Sequence, residues 1–344
     1  MPLPFKPACA PMLLGDLPHQ TASQALALAR QHTGTLLAWP QLPQRSPREQ
    51  PLAQCAAGFP GLVHEAHSGR LYVASDAAEP TLGTFELAYL ENRSGIAHLD
   101  EQNAAGFYEL LRHGEGMPQA LAFKGQTLGP ISLALQLTDE QGQPLIYQPA
   151  LFDRVTQFVR MRAAWQEQRL AELGRPTIIC LDEPALELMG SPFLPIGWED
   201  AAEQIGMAME DVRGCRALFI GRGWEHMGWV KADLVIGSAL GHADAMVDAA
   251  AQIIAHLQDD GLIGLGIIPN QPEPLAAATP QALRDQMATL LGQLEQAGVA
   301  TRTLLEQAVI TTAGGLGALT PPEAERALRM LADTAALLRD EYLA

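Results

Sequence analysis

Asp182 and Glu183 are the residues of this sequence best placed to do chemistry. They follow Thr177-Ile178-Ile179-Cys180-Leu181, an apolar, β-branched run that stops at Pro184. Such a run, bounded by charges and a proline, reads as a buried parallel strand. Pro184 cannot donate to a sheet ladder, so the strand ends there. Two carboxylates are thereby held at the C-terminal end of a buried strand, the end at which parallel α/β folds bind ligands. A loop carboxylate that caps a neighbouring helix would have the same local sequence. Cys180 shares strand parity with Asp182, which places its thiol one layer beneath as a small core residue.

Other polar residues follow other apolar runs. Eight such runs punctuate the chain: Pro11–Gly15, Thr35–Trp39, Gln119–Lys124, Thr177–Asp182, Arg216–Gly221, Asp233–Ser238, Leu262–Ile268 and Ala308–Ala313. Amphipathic, alanine-rich stretches lie between them, at Thr21–Gln31, Pro149–Leu173, His242–Leu257, Pro280–Gln296 and Pro321–Tyr342. Thr320-Pro321-Pro322-Glu323 is a helix start, with Thr320 as N-cap and Glu323 at N3. Strand–helix alternation repeated in this way predicts an α/β (β/α)8 TIM barrel. The alternative, an open doubly wound sheet, lacks a Gly-x-Gly-x-x-Gly after its first strand. Residues 1–344 read as one barrel domain, with an insertion over about 40–101 after the second strand. Within it, Gly61–His64 and Arg70–Ser75, separated by His67-Ser68-Gly69, predict a β-hairpin.

In a barrel, the functional face is whatever follows each strand. That set is Asp16 and His19; Gln41 and Arg45; Lys124 and Gln126; Asp182 and Glu183; Phe219 to Arg222; Ser238; Asn270; and Thr312 to Gly315. An acidic pair opposite Lys124, Arg45 and Arg222 suits a zwitterionic or polar small molecule.

Composition limits the partners. The chain has 344 residues, 48% hydrophobic and 18% charged, which is material for a sizeable core. A net charge of −17 argues against nucleic acid and anionic membrane. Cys9, Cys55, Cys180 and Cys215 form no CxxC pair and no disulfide framework, consistent with a reducing compartment. The proline-broken N-terminus, with Lys6 as its one basic residue, makes a poor signal peptide. No apolar run reaches the roughly 18 residues of a membrane span. A cytoplasmic protein is expected.

Four segments stand out as motifs: Gly15-Asp16-Leu17-Pro18-His19, Lys124-Gly125-Gln126-Thr127-Leu128-Gly129-Pro130, Asp182-Glu183-Pro184-Ala185-Leu186 and Ile310–Gly317. In order, they resemble the Gly-Ser-x-Pro, Lys-Gly-x-x-Thr-Gly-Pro, Asp-Glu-Pro-Ala-Leu and final-strand Thr-x-Cys-Gly elements of the catalytic barrel of cobalamin-independent methionine synthase, within the superfamily shared with uroporphyrinogen decarboxylases. The segments span nearly the whole chain, which resembles a stand-alone short form of that barrel.

The resemblance implies methyltransferase chemistry on a small amino-acid or thiol ligand. A zinc ion held by His-x-Cys, a carboxylate and a last cysteine would bind a substrate thiol as thiolate, against a free thiol pKa of about 8.5. The thiolate would attack a methyl group carried by a folate or a corrinoid protein, and the aspartate of Asp-Glu-Pro-Ala would hold the amino group of homocysteine. Here the four zinc positions fall on Phe219, Gly221, Ser238 and Gly314. None is an ordinary zinc ligand. No cofactor is therefore expected, and zinc-dependent methyl transfer is not.

His19, His226 and His242 follow strands and could in principle share a metal, but scattered surface histidines are the commoner explanation. His64-Glu65-Ala66-His67 is not His-Glu-x-x-His. The candidate ligand contacts are Asp182, Glu183, Lys124, Gln126, Asp16, His19, Gln41, Arg45 and Arg222. Two further readings stay open: a non-catalytic ligand-binding paralogue, and a metal-free uroporphyrinogen decarboxylase-like enzyme for a tetrapyrrole or corrinoid, working through Arg45, Arg222, Asp16 and Asp182.

Overall fold

The computed structural model describes residues 3–65 and 69–344, apart from the side chains of 75 and 76. The strands in chain order are β1 (Ala10–Pro11), β2 (Leu36–Ala38), β3 (Leu62–His64), β4 (Leu71–Val73), β5 (Ala122–Leu128), β6 (Thr138–Asp139), β7 (Thr177–Asp182), β8 (Cys215–Phe219), β9 (Leu234–Ser238), β10 (Leu262–Ile268) and β11 (Ala308–Thr312). Eight of them form a parallel sheet in the order β1-β11-β10-β9-β8-β7-β5-β2. Parallel bridges Met12↔Leu36 and Asp16↔Gln41 join its two ends. The sheet is a (β/α)8 TIM barrel, with helices such as Pro149–Ala171, Pro280–Gln296 and Pro321–Tyr342 around it. The last of these starts as expected, with the Thr320 amide donating to Glu323 Oε2 at 2.8 Å.

The hairpin follows the second barrel strand. β3 pairs antiparallel with β4, and β4 pairs parallel with the short β6. The turn residues His67 and Ser68 lie outside the described residues, as does the second histidine of His64-Glu65-Ala66-His67.

Strand parity sorts the side chains into two cores. Met12, Leu14, Leu36, Ala122, Ile178, Cys180, Ala217, Leu234, Ile236 and Val309 fill the barrel interior. The alternate positions, such as Phe123, Ile179, Leu181, Leu218 and Val235, pack outward under the helices. Each fully buried aliphatic side chain stabilises the fold by roughly 1.5–3 kcal/mol, so the alternation fixes which residues can face the axis.

The third barrel strand departs from its expected position. It runs Ala122–Leu128 rather than Gln119–Lys124, so Lys124 and Gln126 lie inside the strand and not after it. All seven of its residues are buried. The apolar run breaks at Lys124 because alternate positions face a polar barrel interior, and a window that reads only hydrophobicity stops there. The stretch His242–Leu257 also divides, into helices Ala243–Asp248 and Ala250–Gln258. Cys215, expected ahead of the fifth barrel strand, is its first residue, at the N-terminal end of the interior. No helix among the described residues is long and apolar enough to cross a membrane.

Candidate functional site

Register places the site's parts. Leu128, Asp182 and Phe219 are neighbours across β5, β7 and β8, and Gln126, Cys180 and Ala217 are neighbours one layer below. Lys124 and Ile178 lie another layer down. The upper ring opens into a cavity of about 200 Å³ at the C-terminal mouth of the barrel. Its charged lining residues are Asp16, Glu49 and Asp182; Gln41, Cys55, Gly15 and Gly315 add polar or backbone surface. Leu14, Leu128, Phe219, Pro43, Pro51 and Pro184 supply the apolar walls.

Lys124 is fully buried beneath this cavity. Its ammonium donates to the Leu14 carbonyl and, at 3.2 Å, to Gln126 Oε1. Gln126 is fixed in turn: its amide donates to the Trp39 carbonyl at 2.9 Å, and Gln166 bonds its backbone on both sides. Trp39 Nε1 closes the network by donating to Gln166 Oε1 at 3.0 Å. A buried ammonium without nearby negative charge would be costly. Here Lys124 lies within electrostatic reach of both Asp16 and Asp182.

The two aspartates are held differently. Asp16 accepts the amides of Leu316 at 3.0 Å and Gly317 at 2.9 Å. Gly315 and Gly317 permit that approach, since a Cβ on either would run into the Asp16 carboxylate. Burial raises the Asp16 pKa, while these amides and Lys124 oppose the rise. Among the described residues, the side chain of Asp182 accepts one hydrogen bond, from the Cys180 thiol to Oδ1 at 3.4 Å. Its carboxylate borders the cavity, and its pKa is raised to about 6 by burial, against the pull of Lys124.

Glu183, one residue on, faces the opposite way. It is fully buried and accepts the Ile131 amide at 2.9 Å and the Ser132 amide at 2.8 Å, capping helix Pro130–Gln136. Burial lifts its pKa to about 7 even though these donors favour the charged form. Gly129 makes room, because a Cβ there would meet the Glu183 carboxylate. Glu183→Ala would leave two buried amides unpaired and is expected to cost about 2–4 kcal/mol. Urea unfolding measures it, and a loss below about 1 kcal/mol would exclude this capping role.

The remaining expected residues separate. Gln41 borders the cavity and donates to Gln54 Oε1 at 2.6 Å. Arg45 does not border it: the guanidinium pairs with Glu49 Oε2 at 3.1 Å. Arg222 is exposed and folds back on Glu187 Oε2 at 2.6 Å. His19 does not border the cavity; it lies near Glu325 of helix Pro321–Tyr342, and burial lowers its pKa. Of the acidic pair expected opposite Lys124, Arg45 and Arg222, Asp182 borders the cavity, whereas Glu183, Lys124, Arg45 and Arg222 are not among its lining residues.

Glu49 and Cys55 were not anticipated. Both come from the insertion. Glu49 is buried, with Oε1 accepting the Ala105 amide at 2.7 Å. Cys55 Sγ accepts the Leu128 amide at 3.3 Å. Buried Arg162 pins this wall by donating to the Gln54 carbonyl at 3.2 Å and to those of Ala57 and Ala97. The one local signal was the i, i+4 spacing of Arg45 and Glu49.

The four positions at which the resemblance would place zinc ligands carry no ordinary zinc-binding side chain. Phe219 is the strand neighbour of Asp182 in the upper layer and offers the cavity an apolar side chain. Gly221 has φ +60°, and a side chain there would strike Glu187. Gly314 is backed by Asn270 Nδ2, and the fourth position is the buried Ser238. Among the described residues, no group of three or more His, Cys, Asp or Glu side chains is arranged to hold a metal ion.

Fold and site together define a (β/α)8 barrel with a small, anionic, apolar-walled cavity at its C-terminal mouth. No protein-family model matches the chain. No curated protein sequence matches it either. Among solved structures, the chain is similar to a B12-independent methionine synthase from Shewanella sp. W3-18-1 in complex with selenomethionine, with 15% identity and a TM-score of 0.47 over 68% of this chain and 67% of that one.

Proposed function

We propose that the mouth of this barrel binds a small ammonium-bearing ligand through Asp182, as a methionine synthase-like barrel that has kept the amine end of its site without the zinc end. The observation that carries the reading is the state of Asp182. Its carboxylate borders the cavity, its one protein hydrogen bond among the described residues comes from a weak thiol donor, and burial raises its pKa to about 6. A carboxylate so placed gains most from a cation that supplies strong donors. In the enzymes whose motifs this sequence resembles, the matching aspartate holds the amino group of homocysteine.

Zinc-dependent methyl transfer is not part of the proposal, because Phe219, Gly221, Ser238 and Gly314 offer no ligand set. The protein on this reading is a ligand-binding barrel, or an enzyme whose chemistry does not pass through a zinc thiolate. A tetrapyrrole ligand is disfavoured by a cavity of about 200 Å³, below the usual 300–1,000 Å³ of small-molecule sites. It is disfavoured also by the engagement of Arg45 and Arg222 with Glu49 and Glu187.

Thermal-shift titration at pH 7.5 with methionine, homocysteine and small primary amines tests the reading. A ligand that binds only the folded state stabilises it by about 2.7 kcal/mol at a hundred times its Kd. At least one of these compounds is expected to raise Tm with saturation. If none does at tens of millimolar, the ammonium site is refuted.

A further inference from the structure

We infer that the cavity selects a monocationic amine with an apolar tail and discriminates against the zwitterionic amino acid of the same side chain. The inference rests on the ammonium reading above and adds the class of ligand.

Charge placement is the first ground. Among the described residues, the cavity is lined by three carboxylates, Asp16, Glu49 and Asp182, and by no lysine, arginine or histidine. Arg45 matches Glu49 at 3.1 Å, Asp16 and Asp182 share Lys124, and buried Arg162 lies behind the Cys55 wall, so the nearby cations all sit outside the lining. A group that enters the cavity meets carboxylate oxygens and no bordering cation, which suits an ammonium and disfavours the carboxylate of a zwitterion.

Donor supply is the second ground. An α-carboxylate in the cavity would need hydrogen-bond donors or a cation. Lys124 is fully buried and already donates to the Leu14 carbonyl and Gln126. One N–H of the Gln41 amide goes to Gln54, which leaves a single neutral donor there against three carboxylates, and the amides of Leu316 and Gly317 are taken by Asp16. Arg222, which could have served, is held by Glu187. A ligand carboxylate would instead share the cavity with Asp16, Glu49 and Asp182, where like charges repel.

Wall chemistry is the third. Phe219, Leu14, Leu128, Pro43, Pro51 and Pro184 surround the carboxylates with carbon. That surface favours an alkyl or thioether tail over a hydrated metal ion, which would have to shed water against groups that cannot replace it. Phe219 is the strand neighbour of Asp182 and lines the same cavity, and aromatic side chains attract organic cations.

Matched pairs test the inference on the wild-type protein. Isothermal titration at pH 7.5 compares isopentylamine with leucine, and 3-(methylthio)propylamine with methionine, in buffers of equal ionic strength. Each amine is expected to bind at least about tenfold more tightly than its amino acid. Sodium and magnesium chloride serve as inorganic controls and are expected to give no saturable heat. Equal or tighter binding of methionine or leucine would overturn the inference while leaving the ammonium reading in place. Silence from all four organic ligands would refute the ammonium reading itself. Displacement of the amine by magnesium at matched ionic strength would assign the cavity to a metal ion and overturn the inference.

Discussion

Lys124→Met is expected to destabilise the protein by about 3–5 kcal/mol at pH 8 and by clearly less at pH 5. Removing one partner of a buried charge cluster leaves the rest uncompensated, which is the costly way to break it. Here the loss would leave Asp16 and Asp182 facing each other without a cation. The Leu14 carbonyl and Gln126 Oε1 would also lose their donor.

The pH dependence has a definite sign. Burial already raises the Asp182 carboxyl to about 6, and without Lys124 it would rise further. A carboxyl whose folded pKa is raised adds stability below its unfolded value, and that contribution is lost as pH rises through the folded pKa. At pH 5 the variant can hold a proton on Asp182 in place of the lysine's charge; at pH 8 it cannot without cost. Urea unfolding of both proteins at the two pH values measures the difference. A deficit below about 1 kcal/mol at pH 8, or one that does not shrink at pH 5, would show that Lys124 does not balance the aspartates.

Asp182→Asn is expected to lower the affinity for a small amine about a hundredfold while leaving the fold intact. The exchange keeps the shape of the side chain and removes the charge that an ammonium would pair with, a change of about 2.7 kcal/mol in binding. Stability should hold or improve, since the variant no longer buries this carboxylate.

Wild-type binding should carry the pH signature of the same group. Asp182 is faced by Lys124, the Cys180 thiol and Asp16. Above about pH 6 it is ionised and available to the ligand; below, each pH unit should cost about tenfold in amine affinity. Calorimetry from pH 5 to pH 8 reads this directly, and the Asn variant should show a weaker pH dependence. Undiminished amine binding by a folded Asn variant would remove Asp182 from the site.

These outcomes turn on one residue whose position was legible in the sequence and whose neighbours were not. The run from Thr177 to Leu181 is buried on both faces, so it is continuously apolar, and Pro184 marks its end. That suffices to put Asp182 at the mouth of a barrel. The same reasoning located the second barrel strand and the fifth to the eighth, while the first, expected at Pro11–Gly15, is the short Ala10–Pro11. It misplaced β5 because Lys124 and Gln126 face inward among polar partners, and polarity in a core position resembles the end of a strand.

Tertiary structure decided the rest. Asp182 and Glu183 are chemically alike and adjacent, yet parity sends the first into the barrel and the second to the amides of Ile131 and Ser132. Alternation alone does not reveal what receives Glu183, because the amides that claim it lie about 50 residues away in sequence. Arg45 and Arg222 each follow a strand, and sequence alone places both at the mouth. Glu49 and Glu187 draw them off, through contacts that depend on how an insertion and a loop settle on the barrel. The apolar runs determined the barrel, because burial acts on every residue of a strand. The charge of the cavity was set by pairings between distant side chains, and these exist only once the chain has folded.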